Sequence, residues 1–196
     1  MKRGQHPAAR PGTSPAARRT ALLVIDMIST WAIADGAALR TQARRMLSPL
    51  RRLLARARAH GVPVIYANDN FGAWRADFAA VLALVRAHDP IAAAIANAIA
   101  PTADDYIVLK PKHSAFFCTP LPQLLDALGV RRLVLTGASG DQCVQATAAD
   151  ALLREFEVTV PRDTIACPTA ARTRAVLRHF GVAMDIPTPA AARVRW

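Results

Sequence analysis

The chain has 196 residues, a hydrophobic fraction of 53% and a formal net charge of +11. This length suits one domain with a full hydrophobic core and is short for two, while the hydrophobic fraction excludes a disordered protein. No apolar run approaches the roughly 20 residues that a membrane-spanning helix needs, so we expect no membrane partner.

Residues 1–19 differ in composition from the rest of the chain. They are rich in Pro, Ala, Gly and Ser and carry basic residues without an acidic one. Such a segment buries too little apolar surface to offset the entropy of ordering it, so we predict a disordered basic tail. Its basic residues are not followed by an apolar segment, which argues against a secretory signal. Residues 20–196 are predicted to form a single domain.

Beyond the tail, short apolar runs alternate with segments of helical periodicity. Strands are predicted at residues 21–27, 62–67, 106–110, 132–136 and 157–160, with a short sixth strand near residues 182–185. Helices are predicted at about residues 39–60, in the Ala-rich stretch up to residue 99, and at about residues 119–128, 141–154 and 169–180. This alternation predicts an α/β fold, a three-layer, Rossmann-like sandwich in which helices cover both faces of a six-stranded, mostly parallel sheet.

The first long helix, at residues 39–60, carries much of the positive charge. Met46, Leu50 and Leu53 recur at core spacing, so the arginines of this segment fall on its outer, solvated face. Nucleic-acid binding is the alternative use of such a face. No aromatic residues interleave with the arginines, however, and neither a zinc-finger nor an RNP pattern occurs, so we expect no nucleic-acid partner.

The chain contains three cysteines, which are Cys118, Cys143 and Cys167. Their number is odd, and their spacing matches neither a zinc site nor a disulfide framework. We therefore expect a reducing, cytoplasmic environment, with structural roles for Cys118 and Cys167.

Polar, reactive side chains lie at the ends of three predicted strands. Asp26 ends the first strand, Lys110 ends the third, and Cys143 opens the helix that follows the fourth. The carboxyl ends of parallel strands meet at one edge of a sheet, where α/β proteins gather their reactive groups. The sequence therefore predicts that these three side chains converge.

The position of Cys143 favours a nucleophile. The first turn of a helix offers unpaired N–H groups and the positive end of the helix dipole, which lower the pKa of a thiol. Such a cysteine is expected to react quickly with alkylating agents near neutral pH. The same N–H groups can stabilise the oxyanion that forms when a thiolate attacks a carbonyl group. The alternative is that Cys143 is a small buried core residue.

Asp26 and Lys110 also have two interpretations each. A carboxylate within an apolar run is costly unless it is paired, and Asp26 is suited to move a proton to and from a thiol. It could instead cap a turn. Lys110 could stabilise negative charge in a cleft, or it could extend its ammonium group into solvent from the strand end. Lys112 is the competing lysine.

These residues lie in three motifs, which read ALLVIDM at residues 21–27, VLKPKHSAFFCTPL at residues 108–121 and RRLVLTGASGDQCVQATAADAL at residues 131–152. The second contains K-x-x-x-S-A-F-x-x-T-x-L, and the third contains G-x-x-x-x-x-C-V-x-x-T-x-x-D-A. In these motifs, and in the order Asp, Lys, Cys, the sequence resembles the isochorismatase-like cysteine hydrolases, relatives of nicotinamidase and N-carbamoylsarcosine amidohydrolase. The resemblance covers about residues 20–185.

The resemblance implies the six-stranded parallel sheet of that family and a set of roles. Cys143 would be the nucleophile, Asp26 the acid/base and Lys110 the electrostatic partner. A cis peptide bond at Ala138–Ser139 would direct the N–H groups of Ser139 and Cys143 at an oxyanion. The implied reaction hydrolyses an amide, ureide or carbamoyl C–N bond of a small molecule through a thioester, with Asp26 protonating the leaving amine and activating water.

Two other functions stay open under the same resemblance. Isochorismate, a vinyl ether, is hydrolysed on this fold without a covalent step. A non-catalytic relative would instead bind a small ligand or a protein partner. The family commonly forms dimers or tetramers, so the resemblance also implies a homo-oligomer.

The loops at the predicted edge suggest a substrate pocket without a metal. Nicotinamidase-like members carry a metal site with closely spaced histidines after the second strand, whereas residues 68–75 read NDNFGAWR. The five histidines of the chain are dispersed, so we expect no metal and no other cofactor. Aromatic walls with a few polar groups are typical of small-molecule pockets. The residues predicted to bind substrate on this basis are Asn68, Phe71, Trp74, His113 and Phe116, with packing as the alternative for Trp74 and Phe116.

Overall fold

The computed structural model describes residues 14–72, 74–75 and 77–196, and its apolar segments form one sheet. The strands are β1 (Thr20–Ile25), β2 (Val64–Asp69), β3 (Tyr106–Lys110), β4 (Arg132–Ala138), β5 (Glu157–Thr159) and β6 (Ile165–Ala166). Neighbouring strands pair in parallel in the order β3-β2-β1-β4-β5, and β6 also pairs in parallel with β4. The prediction of a six-stranded α/β sheet is confirmed.

Helices lie before, between and after the strands. They are α1 (Pro15–Arg18), α2 (Gly36–Ala59), α3 (Phe78–His88), α4 (Pro90–Ala98), α5 (Leu121–Ala127), α6 (Gln145–Leu153) and α7 (Ala170–Ala183). A π-helical turn, Gly140–Val144, leads directly into α6, and a short 3₁₀ turn, Ala191–Arg193, lies near the carboxyl terminus.

Both faces of the sheet are covered because strand side chains alternate between them. Leu22 and Val24 of β1 pack in one apolar cluster with side chains of α2, α3 and α4. Leu23 and Ile25 pack in a second cluster with side chains of α5, α6 and α7. A central strand buried on both faces needs apolar residues at every position, which explains why β1 is a continuous apolar run. The three-layer arrangement predicted from the sequence is thus confirmed.

The arginines of α2 do not all form a free outer face. Arg56 donates to the carbonyl groups of Ala191 and Val194 at 2.9 and 2.6 Å, and so fastens the carboxyl terminus to the helix. Arg40 forms an ion pair with Asp89, the residue that caps α4. The arginines that stay exposed on α2 are Arg44, Arg45, Arg51 and Arg52.

A buried ion pair joins the last turn of α2 to the segment before β3. Nη2 of Arg58 donates to Oδ2 of Asp105 at 2.6 Å, and the N–H of Thr102 donates to the same oxygen at 2.7 Å. The side chain of Asp105 is only 2% exposed. Nearby, the hydroxyl of Tyr66 donates to the carbonyl of Ile99 at 2.6 Å. The Asp105 carboxylate and the Tyr66 hydroxyl thus both have partners, as burial requires.

Two predicted boundaries are wrong. The sixth strand is β6, whereas residues 182–185 lie at the end of α7 and just beyond it. A strand of two residues carries no readable alternation, and β6 exists because it pairs with Gly137 and Ala138 of β4.

The tail also ends earlier than residue 19: Ser14 caps α1, and Ala17 is buried in the first cluster. Residues 1–13, the rest of the predicted tail, lie outside the described residues.

The strand order places a crevice at one edge of the sheet. From β1 the chain runs outward through β2 to β3, then returns to place β4 on the other side of β1. Ligand sites in α/β sheets lie outside the carboxyl ends of the strands at such a switch point. The loop after β1 and the turn after β4 therefore flank the expected site.

Asp105→Ala is expected to lower the free energy of unfolding by about 2–3 kcal/mol, because it leaves the Arg58 guanidinium and the Thr102 N–H without their acceptor. Urea unfolding monitored by circular dichroism measures this loss. Glu157→Gln is the matched control, since it breaks the exposed Arg132–Glu157 pair and should change stability by less than about 0.5 kcal/mol. Equal effects of the two substitutions would contradict the assigned role of the buried pair.

Candidate active site

Asp26 turns the chain immediately after β1. Its φ of 51° lies in the left-handed region, which costs energy for most residues and which aspartate tolerates better than most. The N–H of Asp26 donates to the carbonyl of Ala67 on β2 at 3.0 Å, and the N–H of Asp69 donates to Oδ1 of Asp26 at 2.7 Å. The end of β2 therefore holds both the backbone and the carboxylate of Asp26.

The ammonium group of Lys110 reaches this carboxylate from β3. β2 separates the two strands, which places their backbones about 10 Å apart, a gap that the two side chains bridge together. Nζ lies 2.7 Å from Oδ2 of Asp26, 3.0 Å from the carbonyl oxygen of Lys112 and 3.6 Å from Sγ of Cys143. The Lys110 side chain is 0% exposed, and these three partners match the three N–H donors of an ammonium group.

Cys143 lies in the π-helical turn before α6 rather than in the first turn of an α-helix, as the sequence predicted. The N–H of Val144 donates to the carbonyl of Ser139 at 3.2 Å across this wider turn. The hydroxyl of Thr147 donates to the carbonyl of Cys143 at 2.7 Å and accepts from the N–H of Ala115 at 3.0 Å. Thr147 thus joins residues 137–144, which contain the predicted nucleophile and are called the nucleophile turn below, to the S-A-F segment. Single π-helical turns are frequent at functional sites.

Two glycines allow this turn to approach the rest of the sheet. Gly137 has a φ of 125°, and a Cβ there would lie 2.0 Å from the carbonyl oxygen of Ile25. A Cβ on Gly140 would lie 3.0 Å from Sγ of Cys167. The peptide bond between Ala138 and Ser139, which lies between these glycines, is cis.

The three side chains determine one another's protonation. Burial raises the pKa of the Asp26 carboxyl, although the Lys110 ammonium and the hydrogen bonds from Cys143, Lys110 and Asp69 act in the opposite direction. Burial alone would lower the pKa of Lys110, but the negative charge of Asp26 outweighs it and the pKa lies above its ordinary value. Burial and the Asp26 carboxylate raise the pKa of the Cys143 thiol to about 12.

The expected lowering of the Cys143 pKa is therefore wrong. Desolvation and the adjacent carboxylate outweigh the contribution of Lys110, which acts toward a lower pKa. With a pKa of about 12, the sulfur is a thiol at neutral pH, and the Asp26 carboxylate favours that protonated form. A carboxylate that acts on a thiol in this way is a candidate base for its proton.

A second network braces the nucleophile turn from α7. Nε of Arg172 donates to Oδ2 of Asp141 at 2.5 Å, and Oδ1 of Asp141 accepts from the Ser139 hydroxyl. Arg172 also pairs at 3.2 Å with Asp35, in the loop between β1 and α2. Burial acts to raise the pKa of the Asp141 carboxyl, but the Ser139 hydroxyl and the Arg172 guanidinium hold it below its ordinary value. One guanidinium therefore ties together the two segments that flank the crevice.

Two of the residues predicted to bind substrate are buried and make structural contacts. Asn68 is buried, accepts from the N–H of Ile28 at 3.1 Å, and donates to the carbonyl groups of Ile28 and Asp69 at 3.0 Å each. The Asn68 amide thus holds the loop after β1 against the end of β2. Phe116 is buried in the second cluster, 5.8 Å between ring centroids from Phe156. The Phe116 ring therefore packs in the core, although the residue follows β3 at the carboxyl edge of the sheet.

The other predicted substrate residues lie in the loops that follow β2 and β3. Nδ1 of His113 lies 3.5 Å from Sγ of Cys143. Phe71 and Trp74 lie in the loop after β2, and Trp74 is 79% exposed. Substrate contacts for these three residues stay predictions, as does the oxyanion role of the Ser139 and Cys143 N–H groups.

Sequence reasoning missed several residues that hold the site. Thr147 and Asp150 follow Cys143 by one and two helical turns, and Asp150 accepts from the Ser114 hydroxyl at 2.5 Å. Their spacing on one helix face was a readable signal. Arg172 lies far along the chain on another helix, and no local pattern connects it to the nucleophile turn.

Further expectations concern metal ions, membranes, assembly and location. Within residues 14–72, 74–75 and 77–196, no group of three or more His, Cys, Asp or Glu side chains is arranged to hold a metal ion. Across that same part of the chain, none of the helices has the length and apolar character needed to span a membrane. The homo-oligomer and the cytoplasmic location stay predictions.

Asp26→Asn is expected to increase the rate at which iodoacetamide alkylates Cys143 at pH 8 by about tenfold or more. The substitution removes the negative charge that raises the thiol pKa and leaves the Lys110 ammonium in place, and each unit of pKa changes the thiolate fraction about tenfold. Peptide mass spectrometry separates Cys143 from the exposed Cys118. Asp126→Asn, on the surface of α5, should leave the rate unchanged. A slower reaction in Asp26→Asn would refute the assigned electrostatics.

Comparison with known proteins identifies the family of the chain. The isochorismatase domain model matches residues 20–188 of the chain. The chain is 39% identical over 149 residues to YaaI of Bacillus subtilis (strain 168), an uncharacterised isochorismatase family protein, with 74% of this chain and 80% of YaaI covered. It is 31% identical over 156 residues to maleamate amidohydrolase of Pseudomonas putida, with 76% of this chain and 72% of that protein covered. A cysteine hydrolase from Pseudomonas syringae pv. phaseolicola superposes with a TM-score of 0.71 at 26% identity, covering 98% of this chain and 95% of that one. The chain therefore belongs to the isochorismatase family.

Proposed function

We propose that this protein is a cysteine hydrolase that cleaves a C–N bond of a small amide, ureide or carbamoyl compound through a thioester on Cys143. The observation that carries the proposal is the contact of one sulfur with a carboxylate and a fully buried ammonium group. Nζ of Lys110 lies 2.7 Å from Oδ2 of Asp26 and 3.6 Å from the sulfur, and the Asp26 carboxylate helps to raise the pKa of the Cys143 thiol. Titratable groups that shift one another's pKa values in one buried contact are typical of functional sites.

The acylation step uses these groups in order. Asp26 removes the thiol proton as Sγ bonds to the substrate carbonyl carbon, and the carbonyl π electrons move to oxygen. Lys110 offsets the negative charge that appears near the sulfur, and the N–H groups of Ser139 and Cys143 are proposed to donate to the oxyanion. The C–N bond then breaks as Asp26 returns the proton to the leaving nitrogen. Hydrolysis of the resulting thioester releases the acid.

A thiol, rather than a stable thiolate, suits this sequence of steps. Because the pKa of Cys143 is raised to about 12, the proton stays on the sulfur until a carbonyl group is bound beside it. Asp26 then carries that same proton to the nitrogen, so no proton has to come from solvent during acylation. The name of the maleamate amidohydrolase relative supports an amide as the first compound to test.

Cys143→Ala is expected to abolish ammonia release while the protein stays folded. The substrate is first found by screening small amides and ureides, including maleamate, with an enzymatic ammonia assay. Removal of the Cys143 thiol should reduce turnover by at least about 10⁴-fold, because it removes the group that forms the thioester. Cys118→Ala, at an exposed thiol, is the control and should keep full activity. Turnover in folded Cys143→Ala would refute the covalent route, and a chain that turns over none of these compounds would favour a binding role.

The dependence of kcat/KM on pH should follow the ionisation of the Asp26 carboxyl group. Asp26 must be ionised to accept the thiol proton, so activity falls as the pH falls through the pKa of Asp26, which burial raises above its ordinary value. Lys110→Met removes the ammonium group that opposes this increase. The acid limb of the kcat/KM profile should therefore move to higher pH in that variant, together with a loss of activity.

Lys112→Met serves as the control for that profile, because the Lys112 side chain is exposed and only its carbonyl oxygen touches Lys110. Its acid limb should coincide with that of the unmodified protein. A limb that stays in place in Lys110→Met would show that the ammonium group does not control the ionisation of Asp26.

A further inference from the structure

The Cys143 sulfur has a polar neighbour on its open side. Nδ1 of His113 lies 3.5 Å from Sγ, and His113 is exposed, whereas Lys110 is buried. His113 holds the last open position of K-x-x-x-S-A-F, so the motif itself does not require an imidazole there. The sulfur thus lies between a buried carboxylate–ammonium pair and an exposed imidazole.

The backbone on both sides of His113 is held by the site itself. The carbonyl oxygen of Lys112 accepts from Nζ of Lys110 at 3.0 Å, and the N–H of Ala115 donates to Thr147 at 3.0 Å. These contacts join the segment to the ion pair on one side and to the nucleophile turn on the other. The position of His113 beside the sulfur is therefore built into the site and does not depend on a free loop.

The Asp26 carboxylate is largely enclosed by protein groups. Its Oδ1 accepts from the N–H of Asp69 and its Oδ2 from Lys110, each at 2.7 Å, and its side chain is 14% exposed. His113, by contrast, is exposed, and its Nδ1 lies 3.5 Å from the partly exposed sulfur of Cys143. An imidazole in that position is within reach of a water that attacks an acyl group on the sulfur.

We propose that His113 is the catalytic base of thioester hydrolysis, a role that rests on the proposed function. Nδ1 takes a proton from water as the water oxygen bonds to the thioester carbonyl carbon and the carbonyl π electrons move to oxygen. When the carbonyl group re-forms, the C–S bond breaks and its electron pair goes to the sulfur. Nδ1 then gives its proton to that sulfur, which restores the neutral imidazole and the thiol.

This assignment divides the two half-reactions between two groups. Asp26 carries the thiol proton to the leaving nitrogen during acylation, and His113 carries a water proton to the sulfur during deacylation. Each group ends its half-reaction in the state in which it began. The tautomer required has its hydrogen on Nε2, which leaves the Nδ1 lone pair directed toward the sulfur.

The test follows an acetyl group on Cys143 from its formation to its removal. The probe is p-nitrophenyl acetate, an activated ester whose leaving group needs no proton, so it loads the sulfur whatever the natural substrate is. Release of p-nitrophenolate measures acylation, and peptide mass spectrometry measures the lifetime of acetyl-Cys143. Acetyl on the exposed Cys118 provides an internal reference in the same sample.

His113→Phe and His113→Gln are expected to keep the acylation rate and to lengthen the lifetime of acetyl-Cys143 about 10²-fold, the usual contribution of a general base. Deacetylation in the unmodified protein should be slower in D₂O, and both variants should lose this isotope effect. His179→Gln, at an exposed imidazole on α7, is the matched control and should change neither quantity.

The outcomes separate this inference from the proposed function. An unmodified protein that does not acetylate Cys143 refutes the nucleophile, and the role of His113 falls with it. Acetylation with equal lifetimes in the unmodified protein and both His113 variants overturns the inference alone. A loss of acylation in both variants would also overturn it, since His113 would then act before the thioester forms.

Discussion

The contact between the Lys110 ammonium and the Asp26 carboxylate is the constraint on which the site depends. An ammonium group with no solvent exposure is tolerated only when its donors are satisfied, and Nζ finds a carboxylate, a carbonyl oxygen and a sulfur. Because Lys110 and Asp26 come from strands on either side of β2, their pairing also fixes how the edge of the sheet is arranged. The carboxylate in turn keeps the Cys143 proton in place.

This pairing gives the sulfur a different chemistry from that of a cysteine activated by a helix dipole alone. A thiolate at a helix start is ready to react with any electrophile that reaches it. At Cys143, desolvation and the Asp26 charge instead raise the thiol pKa, so the sulfur keeps its proton at neutral pH. Under the proposed function, the proton would leave only as a bound carbonyl group accepts the sulfur electrons, and Asp26 would carry it to the leaving nitrogen.

The surroundings of the three side chains come from distant parts of the chain. Arg172 on α7 links Asp141, in the nucleophile turn, to Asp35, in the loop after β1. His113 reaches the open side of the sulfur from the segment after β3. Neither residue is required by the motifs that identify the family.

The sequence by itself determined the α/β architecture and the convergence of Asp26, Lys110 and Cys143. Apolar runs separated by helical periods specify a parallel sheet, and parallel strands deliver their carboxyl ends to one edge. Only the tertiary structure decided the protonation of Cys143, the burial of Phe116 and Asn68, and the position of β6. Each of these depends on neighbours supplied by other elements: desolvation and charge at the sulfur, packing against Phe156, hydrogen bonds to Ile28, and pairing with β4. Local pattern encodes how a segment folds, whereas the energy of a side chain in its site depends on what the rest of the chain places around it.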